Sequence, residues 1–132
     1  MTVFVDTSAF LAVINRGDRF HQGAADLWQD LINQEERLIC NNYVIVETTT
    51  LLQRRFGLEA VRAFLEAASA RLAVIWLDEI DHRQALTALL AANRRQLSLV
   101  DCSAMTTMTT LGIRHIFSFD AHFDDYGFER LP

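Results

Sequence analysis

The sequence predicts an α/β fold in which helices cover both faces of a mainly parallel sheet. Short apolar runs typical of buried strands alternate along the chain with longer stretches of helical periodicity. Strands that are separated by helices need crossover connections, and these favour parallel pairing. No repeat, low-complexity segment or proline-rich linker interrupts the chain, so we expect one domain over residues 1–132.

The amino-terminal half is predicted to contain two strands and four helices. The first strand is a short apolar run that leads directly into Asp6. Asn42 is a suitable N-cap for the third helix, and Gly57 is a suitable terminator for it. The predicted elements are strands at 2–5 and 38–40 and helices at 8–15, 20–32, 42–56 and 59–70.

The carboxyl-terminal half continues the alternation. Asp101 is a plausible N-cap of a helix that stops at Gly112. Trp28 in the first half and Trp76 in this one are interpreted as core residues, because each lies in an apolar stretch. The predicted elements are strands at 72–77 and 115–119, an edge strand at 128–131, and helices at 80–92 and 101–111.

Charge and residue usage exclude some functions. A net charge of −5 argues against a protein that coats nucleic acid, because such proteins carry a basic surface. It does not argue against an enzyme that acts on nucleic acid. All twelve basic residues are arginine, so any mechanism that needs a lysine is excluded.

Cysteine usage and hydropathy indicate a cytoplasmic location. Cys40 and Cys102 lie in apolar stretches without metal-type spacing or a redox motif, which is typical of buried thiols in a reducing compartment. The first residues lack the basic and apolar regions of a signal peptide, and no apolar run is long enough to span a membrane.

Four acidic residues stand out by position. Asp6 and Asp120 follow predicted strands, and ligands of parallel sheets bind beyond the carboxyl ends of strands. Asp101 lies at a predicted helix start, and Glu47 lies in an otherwise uncharged helical stretch. Taken singly, each aspartate is explained by helix capping and the glutamate by an exposed helix face. Taken together, they are expected to converge on one crevice.

Carboxylates that share a crevice repel one another, at roughly 4 kcal/mol per pair at ~4 Å and an effective dielectric constant near 20. They must take up protons or bind a cation, and the chain has no lysine for that purpose. Oxygen ligands suit Mg²⁺ or Mn²⁺. Such an ion suits phosphodiester hydrolysis, because it polarises the phosphoryl group and activates water.

Several segments, in order along the chain, carry a family resemblance. They are residues 5–10 (VDTSAF), 19–24 (RFHQGA), Glu47 within its helix, 97–103 (LSLVDCS) and 116–128 (IFSFDAHFDDYGF). The chain resembles PIN domains over essentially its whole length. Among them it is most similar to the VapC toxins of VapBC toxin–antitoxin pairs.

The resemblance implies a three-layer α/β/α sandwich and endonucleolytic cleavage of RNA with Mg²⁺ or Mn²⁺. It also implies a cognate antitoxin and a homodimer. The implied catalytic quartet is Asp6, Glu47, Asp101 and Asp120. Within it Asp6, Asp101 and Asp120 would bind the metal directly and Glu47 through water. The implied supporting residues are Thr7, Ser8 and Asp124.

The same residues are compatible with other functions. A phosphoacceptor signalling module also places acids at strand ends, but it uses a lysine, which this chain lacks. A PIN module that only binds partners and a nuclease that acts on DNA remain open. The four histidines and the pairs Arg54-Arg55 and Arg94-Arg95 are interpreted as structural or surface residues. A position of His21 or His122 near the mouth of the site, and phosphate contacts by the arginine pairs, remain open.

Overall fold

A computed structural model describes every residue from Met1 to Pro132. Five strands form one sheet, in which all neighbouring strands are parallel and the order is β3-β2-β1-β4-β5. The first strand in the chain is therefore the central strand of the sheet. The strands are β1 (Thr2–Val5), β2 (Arg37–Asn41), β3 (Leu72–Ile75), β4 (His115–Phe117) and β5 (Glu129–Leu131).

Helices flank this sheet and complete the α/β/α arrangement, which confirms the predicted fold class. The first four helices contact one another, and the last two pack together. A short 3₁₀ helix, Ala121–Tyr126, follows β4. The six α-helices are α1 (Thr7–Ile14), α2 (His21–Asn33), α3 (Asn42–Phe56), α4 (Leu58–Arg71), α5 (Glu79–Ala92) and α6 (Leu99–Leu111).

The two central strands are the most deeply buried part of the chain. Val3 and Val5 of β1 pair with His115 and Phe117 of β4, and every residue of this group except His115 is fully buried. Strands covered on both faces need such continuous apolar runs. The pairing also brings the carboxyl ends of β1 and β4 side by side, which positions the residues that follow them.

Both cysteines are buried and form no disulfide, as the sequence predicts. Burial raises the pKa of the Cys40 thiol to about 12. None of the helices combines the length and the apolar character that crossing a membrane requires.

The N-cap of α3 lies one residue before the predicted position. Asn41, not Asn42, caps this helix, and its side-chain oxygen accepts a hydrogen bond from the Val44 N–H at 3.0 Å. Asn42 already has helical geometry, and its side-chain oxygen accepts from the Leu77 N–H at 2.7 Å. Gly57 ends the helix as predicted, with a φ of 85° that only glycine adopts without strain.

The prediction that Trp76 belongs to the core was wrong. This side chain is 74% exposed, because β3 lies at the edge of the sheet and ends at Ile75. Ile75 and Leu77 line the face of β3 next to α6, so the alternation along the chain turns Trp76 away. Trp28, in contrast, packs against the core, with its ring centroid 6.1 Å from that of Phe10.

Candidate active site

The deepest acid of the candidate site is Asp6, which directly follows β1. Its carboxylate is 4% exposed and makes no capping hydrogen bond to α1, although the residue occupies the N-cap position. One carboxylate oxygen instead accepts from the hydroxyls of Ser8 and Ser118, both at 2.9 Å. Burial raises the pKa of Asp6 to about 6, although these two hydrogen bonds lower it.

Serines 8 and 118 also tie the ends of β1 and β4 together. The Ser8 hydroxyl accepts from the Phe119 N–H at 3.0 Å, and the Ser118 hydroxyl accepts from the Asp120 N–H at 3.0 Å. Ser118 therefore contacts two of the four acidic residues. These bonds turn the chain after Phe117, which is why β4 stops two residues before the predicted end at 119.

Glu47 approaches the same place from α3. The neighbouring Thr48 connects α3 to the end of β1, because its hydroxyl donates to the Thr7 hydroxyl at 3.1 Å. The Thr7 hydroxyl lies near enough to the Glu47 carboxylate to lower its pKa. Partial burial raises the pKa of Glu47, the Thr7 hydroxyl lowers it, and the charge of Asp101 raises it again. Asp101 therefore lies close enough to Glu47 to affect its ionisation.

Asp101 was predicted as the N-cap of α6, which was wrong. The N-cap is Ser98, and Asp101 is the third residue of the helix in a capping box. One carboxylate oxygen of Asp101 accepts from the Ser98 N–H, and the Ser98 hydroxyl accepts from the Asp101 N–H, both at 3.0 Å. This geometry fixes the side chain and leaves its second carboxylate oxygen without a protein donor.

Asp120 completes the group beyond the end of β4. It caps the 3₁₀ helix through a bond from the His122 N–H at 3.1 Å, and the same oxygen lies 3.5 Å from the His122 ring Nε2. Asp101, Asp120 and His122 each offer a ligand atom within 4.8 Å of the others. His122, interpreted from the sequence as a structural or surface residue, is therefore part of the cluster.

Asp101 is the electrostatic centre of the group. Its charge raises the pKa of Asp6 and the pKa of Glu47. The pKa of Asp101 itself is raised mainly by burial and further by the charge of Asp120. All four acids predicted from the sequence are thus brought together. Of the predicted supporting residues, Ser8 bonds to Asp6, and Thr7 lies close enough to Glu47 to lower its pKa.

Asp124, the third predicted supporting residue, bonds to none of the four acids. Both of its carboxylate oxygens accept from the Arg130 guanidinium at 2.9 Å, and this ion pair lowers the pKa of Asp124. A direct role for Asp124 would require the ion pair to open.

Sequence reasoning did not single out Ser118, and it left His122 near the site and phosphate contacts by Arg94 only as open alternatives. Arg94 donates to Asp125 at 3.2 Å and to the Tyr126 hydroxyl at 3.4 Å, and so holds the 3₁₀ helix against the loop before α6. Ser118 could have been found as the one polar residue between Phe117 and Phe119 at the end of a buried strand. His122 could have been found from its position two residues after Asp120. The partners of Arg94 had no sequence signal, because they lie about thirty residues away.

Two open grooves border the acidic residues. One, of about 380 Å³, includes Ser8 and Asp120 and is walled by Phe20 and Phe119, whose rings stack at 4.6 Å. The Arg19 guanidinium lies 4.5 Å from the centre of the Phe20 ring. The other groove, of about 300 Å³, includes Glu47.

The chemistry of the donor set fits a divalent cation. Carboxylate oxygens dominate, and one imidazole nitrogen lies beside them, which suits Mg²⁺ or Mn²⁺ more than a softer metal. No arginine bonds to any of the four carboxylates, so their charge is not neutralised by the protein. The raised pKa values follow from this burial of uncompensated charge.

Comparison with known proteins shows what the chain resembles. It is 34% identical over 132 residues to the 23S rRNA-specific endonuclease VapC20 of Mycobacterium tuberculosis, with 96% of this chain and 95% of that protein covered. The crystal structure of that VapC20, described as a sarcin–ricin loop cleaving toxin, matches with a TM-score of 0.83 at 33% identity, over 96% of this chain and 95% of that one.

A more distant structure shares the fold alone. VapBC2 from Rickettsia felis, bound to a DNA fragment from its promoter, has a TM-score of 0.73 at 12% identity and covers 99% of this chain and 98% of that one. The family model of the PIN domain matches residues 3–129, which include every residue of the acidic group. The chain therefore belongs to the PIN domain family.

Proposed function

We propose that this protein is a metal-dependent endoribonuclease and the toxin of a type II toxin–antitoxin pair. The observation that carries the proposal is the grouping of Asp6, Glu47 and Asp120, from separate parts of the chain, around Asp101 near the carboxyl edge of the sheet. The full-length similarity to a 23S rRNA-specific endonuclease supports RNA, and ribosomal RNA in particular, as the substrate class.

Mg²⁺ or Mn²⁺ is the proposed cofactor. Asp6, Asp101 and Asp120 would hold it directly, Glu47 would act through water, and the His122 ring adds a nitrogen ligand beside Asp120. When bound, such an ion polarises the phosphoryl group and favours the loss of a proton from the attacking water. The acids also need the ion, because its charge offsets their mutual repulsion.

The rest of the chain orients these acids in advance. Ser8 and Ser118 hold one oxygen of Asp6, and Ser98 holds one oxygen of Asp101. The second oxygen of each carboxylate accepts no side-chain hydrogen bond and is free to bind a cation. Thr7, at the start of α1, lowers the pKa of Glu47. Such fixed geometry reduces the reorganisation needed when substrate binds.

The proposed partners are a cognate antitoxin and a second copy of this chain, in the cytoplasm. Two groups of exposed apolar side chains support the existence of protein partners, because isolated domains rarely keep so many in water. Phe56 ends α3, Leu58 and Leu65 lie on α4, and Trp76 and Ile80 lie around the start of α5.

Two alternatives lead to different results in the same experiment. A non-catalytic PIN module would bind partners without cleaving RNA, and a DNA-directed nuclease would cut DNA with the same acids. The four intact carboxylates favour an enzyme over the binding module.

The test is cleavage of bacterial ribosomal RNA by the purified protein with Mn²⁺, with Mg²⁺ and with EDTA, beside DNA of similar length. We expect RNA fragments only in the lanes with metal. Asp101→Asn should lower the rate by orders of magnitude while its far-ultraviolet circular dichroism stays unchanged, because it removes a charge from the centre of the group.

The matched control is Asp30→Asn, which removes the same charge from an exposed position on α2. It should cleave like the unmodified protein. Equal cleavage by the Asp101 and Asp30 variants would refute the site. Cleavage of DNA in preference to RNA would support the alternative substrate, and a silent protein that binds no Mn²⁺ would support the binding module.

A further inference from the structure

The groove on the Asp120 side of the acidic group has a cation at its aromatic wall. This groove includes Ser8, Phe20, Phe119 and Asp120, and we call it the Phe20 groove. The guanidinium carbon of Arg19 lies over the Phe20 ring, 4.5 Å from its centre. The Phe20 ring is within 7° of parallel to the Phe119 ring, and the two centres are 4.6 Å apart. Phe20 therefore links Arg19 to the residue that directly precedes Asp120.

The segment that carries Arg19 is held by hydrogen bonds on both sides of it. The Asp18 carboxylate accepts from the Phe20 N–H at 2.8 Å, and the Asp18 carbonyl accepts from the His21 N–H at 3.0 Å. The His21 ring donates from Nδ1 to the Ala12 carbonyl of α1 at 2.8 Å. A guanidinium over an aromatic ring is attracted by the ring electrons. These contacts favour one position of Arg19 before any ligand binds.

The Arg19 guanidinium has no acidic partner in the protein. It is exposed, and no carboxylate lies within ion-pair distance of it. The two arginines that contact the 3₁₀ helix differ in this respect, because Arg94 pairs with Asp125 and Arg130 pairs with Asp124. Stacking uses the face of a guanidinium and leaves the N–H donors at its edge for a ligand.

We propose that Arg19 binds a phosphate of the RNA strand, next to the phosphate that is cleaved at the acidic group. This inference rests on the proposed function for its choice of ligand. The N–H donors of arginine form a planar fork that matches the oxygens of a phosphate. Contacts of this kind fix the register of a nucleic acid without reading its sequence. Arg19 is thus a substrate-binding residue, and the reaction itself takes place at the acids.

The charge around the Phe20 groove explains why a cation is needed there. Asp18 and Asp120 both line the groove, and the net charge of the chain is −5, so the phosphates of an approaching strand are repelled. A cation held by the acids would offset this repulsion at the cleaved phosphate, but not at the neighbouring phosphates. The Arg19 guanidinium supplies the attraction for one of these neighbours.

A carboxylate of a protein partner is the other ligand that an unpaired guanidinium suits. The proposed chemistry brings an RNA strand to this edge of the sheet in any case, which favours a phosphate. The two ligands also lead to different results in a binding experiment with RNA alone.

The test measures how strongly salt weakens RNA binding, because each phosphate contact releases counterions from the RNA. Binding of a short, fluorescein-labelled single-stranded RNA is followed by fluorescence anisotropy at several KCl concentrations and one fixed Mg²⁺ concentration. The parent protein and all variants carry Asp101→Asn, so that the RNA stays intact. Arg19→Gln removes the charge under test, and Arg19→Lys keeps it.

Arg37→Gln is the matched control. Arg37 is also exposed and also lies outside ion-pair distance of any carboxylate. It is the first residue of β2, so it lies at the amino edge of the parallel sheet, opposite the acidic group. The control therefore removes the same charge from a place that the RNA is not expected to contact.

We expect Arg19→Gln to weaken RNA binding about fivefold, because one charge-assisted contact is lost. The slope of the logarithm of the association constant against the logarithm of the salt concentration should become shallower by about 0.7, the value for one phosphate on a single strand. Arg37→Gln should change neither quantity. Arg19→Lys should keep the slope of the parent and lose part of the affinity, because lysine has the charge but not the planar fork.

Variants of Phe20 test whether the ring holds the guanidinium in place. Phe20→Leu should weaken binding without a change of slope, because the charge remains but its support is lost. Phe20→Tyr keeps the ring and should bind like the parent. Phe20 is 38% exposed, so both variants should fold. Equal affinities of the leucine and tyrosine variants would contradict the role of the ring.

An unchanged slope in Arg19→Gln, or an equal change in Arg37→Gln, would overturn the inference. A parent protein that binds no RNA would overturn it too, and would leave Arg19 to an acidic protein partner. Cleavage is measured separately, on the protein without Asp101→Asn. If that protein cuts RNA and Arg19→Gln leaves the slope unchanged, only the phosphate contact is refuted. If it cuts nothing and the slope is shallower, only the nuclease is refuted.

Discussion

At the residue scale, Asp6 shows how burial and function oppose each other. Its side chain is 4% exposed, and its two serine partners do not fully offset the loss of hydration. The pKa of Asp6 in the folded chain is about 6, against an ordinary value of 3.8. A folded state that binds a proton more tightly than the unfolded state loses stability when that proton leaves.

The pH dependence follows from this shift. Below about pH 4 Asp6 is protonated in both the folded and the unfolded state, and it does not lower the free energy of unfolding. As the pH rises to about 6 the unfolded chain ionises first, so the free energy of unfolding falls, and above that it stays lower by up to about 3 kcal/mol. A bound cation would restore the lost free energy of unfolding, because it stabilises the ionised carboxylate.

We therefore expect Asp6→Asn to raise the melting temperature at pH 7.5 in EDTA, by the equivalent of about 1–3 kcal/mol. The gain should vanish near pH 4, and Mg²⁺ should stabilise the unmodified protein but not the variant. Thermal melts over this pH range measure each effect. A variant that melts lower than the unmodified protein at every pH would instead assign Asp6 a purely structural role in α1.

At the scale of elements, Asn41 joins the two helices that carry Glu47 and Asp101. Its oxygen caps α3, and its amide nitrogen donates to the hydroxyls of Ser103 and Thr107 on α6, both at 3.2 Å. These contacts explain part of the threonine-rich sequence of α6, which is unusual for a helix. Ser103 and Thr107 are buried and serve as acceptors for Asn41.

Asn41→Ala should lower the free energy of unfolding by about 2–3 kcal/mol. The lost N-cap accounts for about 1 kcal/mol, and the lost bonds to α6 and the small void account for the rest. Urea unfolding with an unchanged m-value measures the loss. Asn33→Ala, at the exposed end of α2, removes an amide that bonds only to Gln29 and should change stability by less than about 0.5 kcal/mol. Equal losses in the two variants would contradict the linking role of Asn41.

At the scale of the whole molecule, local sequence patterns predicted where the strands and helices lie along the chain. They did not predict which of these elements pack together. The apolar runs and Gly57 and Gly112 placed most strands and helices to within a few residues. The order of the sheet was not predictable, because nothing in residues 2–5 states that this strand lies at the centre. Trp76 was wrongly assigned to the core for the same reason, because its exposure follows from the position of β3 at the edge of the sheet.

The candidate site was predictable where residues follow an element end. Asp6 and Asp120 lie beyond parallel strands, and the parallel register of β1 and β4 brings them together. Asp101 was assigned to the site for a partly wrong reason, because Ser98 three residues earlier is the true cap. His122 was undervalued because only the turn of the 3₁₀ helix directs its ring toward Asp101 and Asp120.

The exposure of Trp76 provides a test of the proposed homodimer. This side chain is 74% exposed, and Ile80, close by in sequence, is 67% exposed, so burial of both against a second copy would stabilise a dimer. Trp28→Phe leaves Trp76 as the only tryptophan. In that background we expect Trp76 emission to shift to the red on dilution, in step with a fall in sedimentation mass from dimer to monomer.

Trp76→Glu should keep the chain monomeric at concentrations where the unmodified protein is dimeric, because a carboxylate would be buried in the interface. Leu65→Glu on α4 places the same charge on the other exposed apolar group and should leave the dimer intact. If the protein sediments as a dimer while Trp76 emission stays solvent-like at all concentrations, the interface lies elsewhere. If Leu65→Glu alone dissociates the dimer, the α4 face rather than the Trp76 face joins the two copies of the chain.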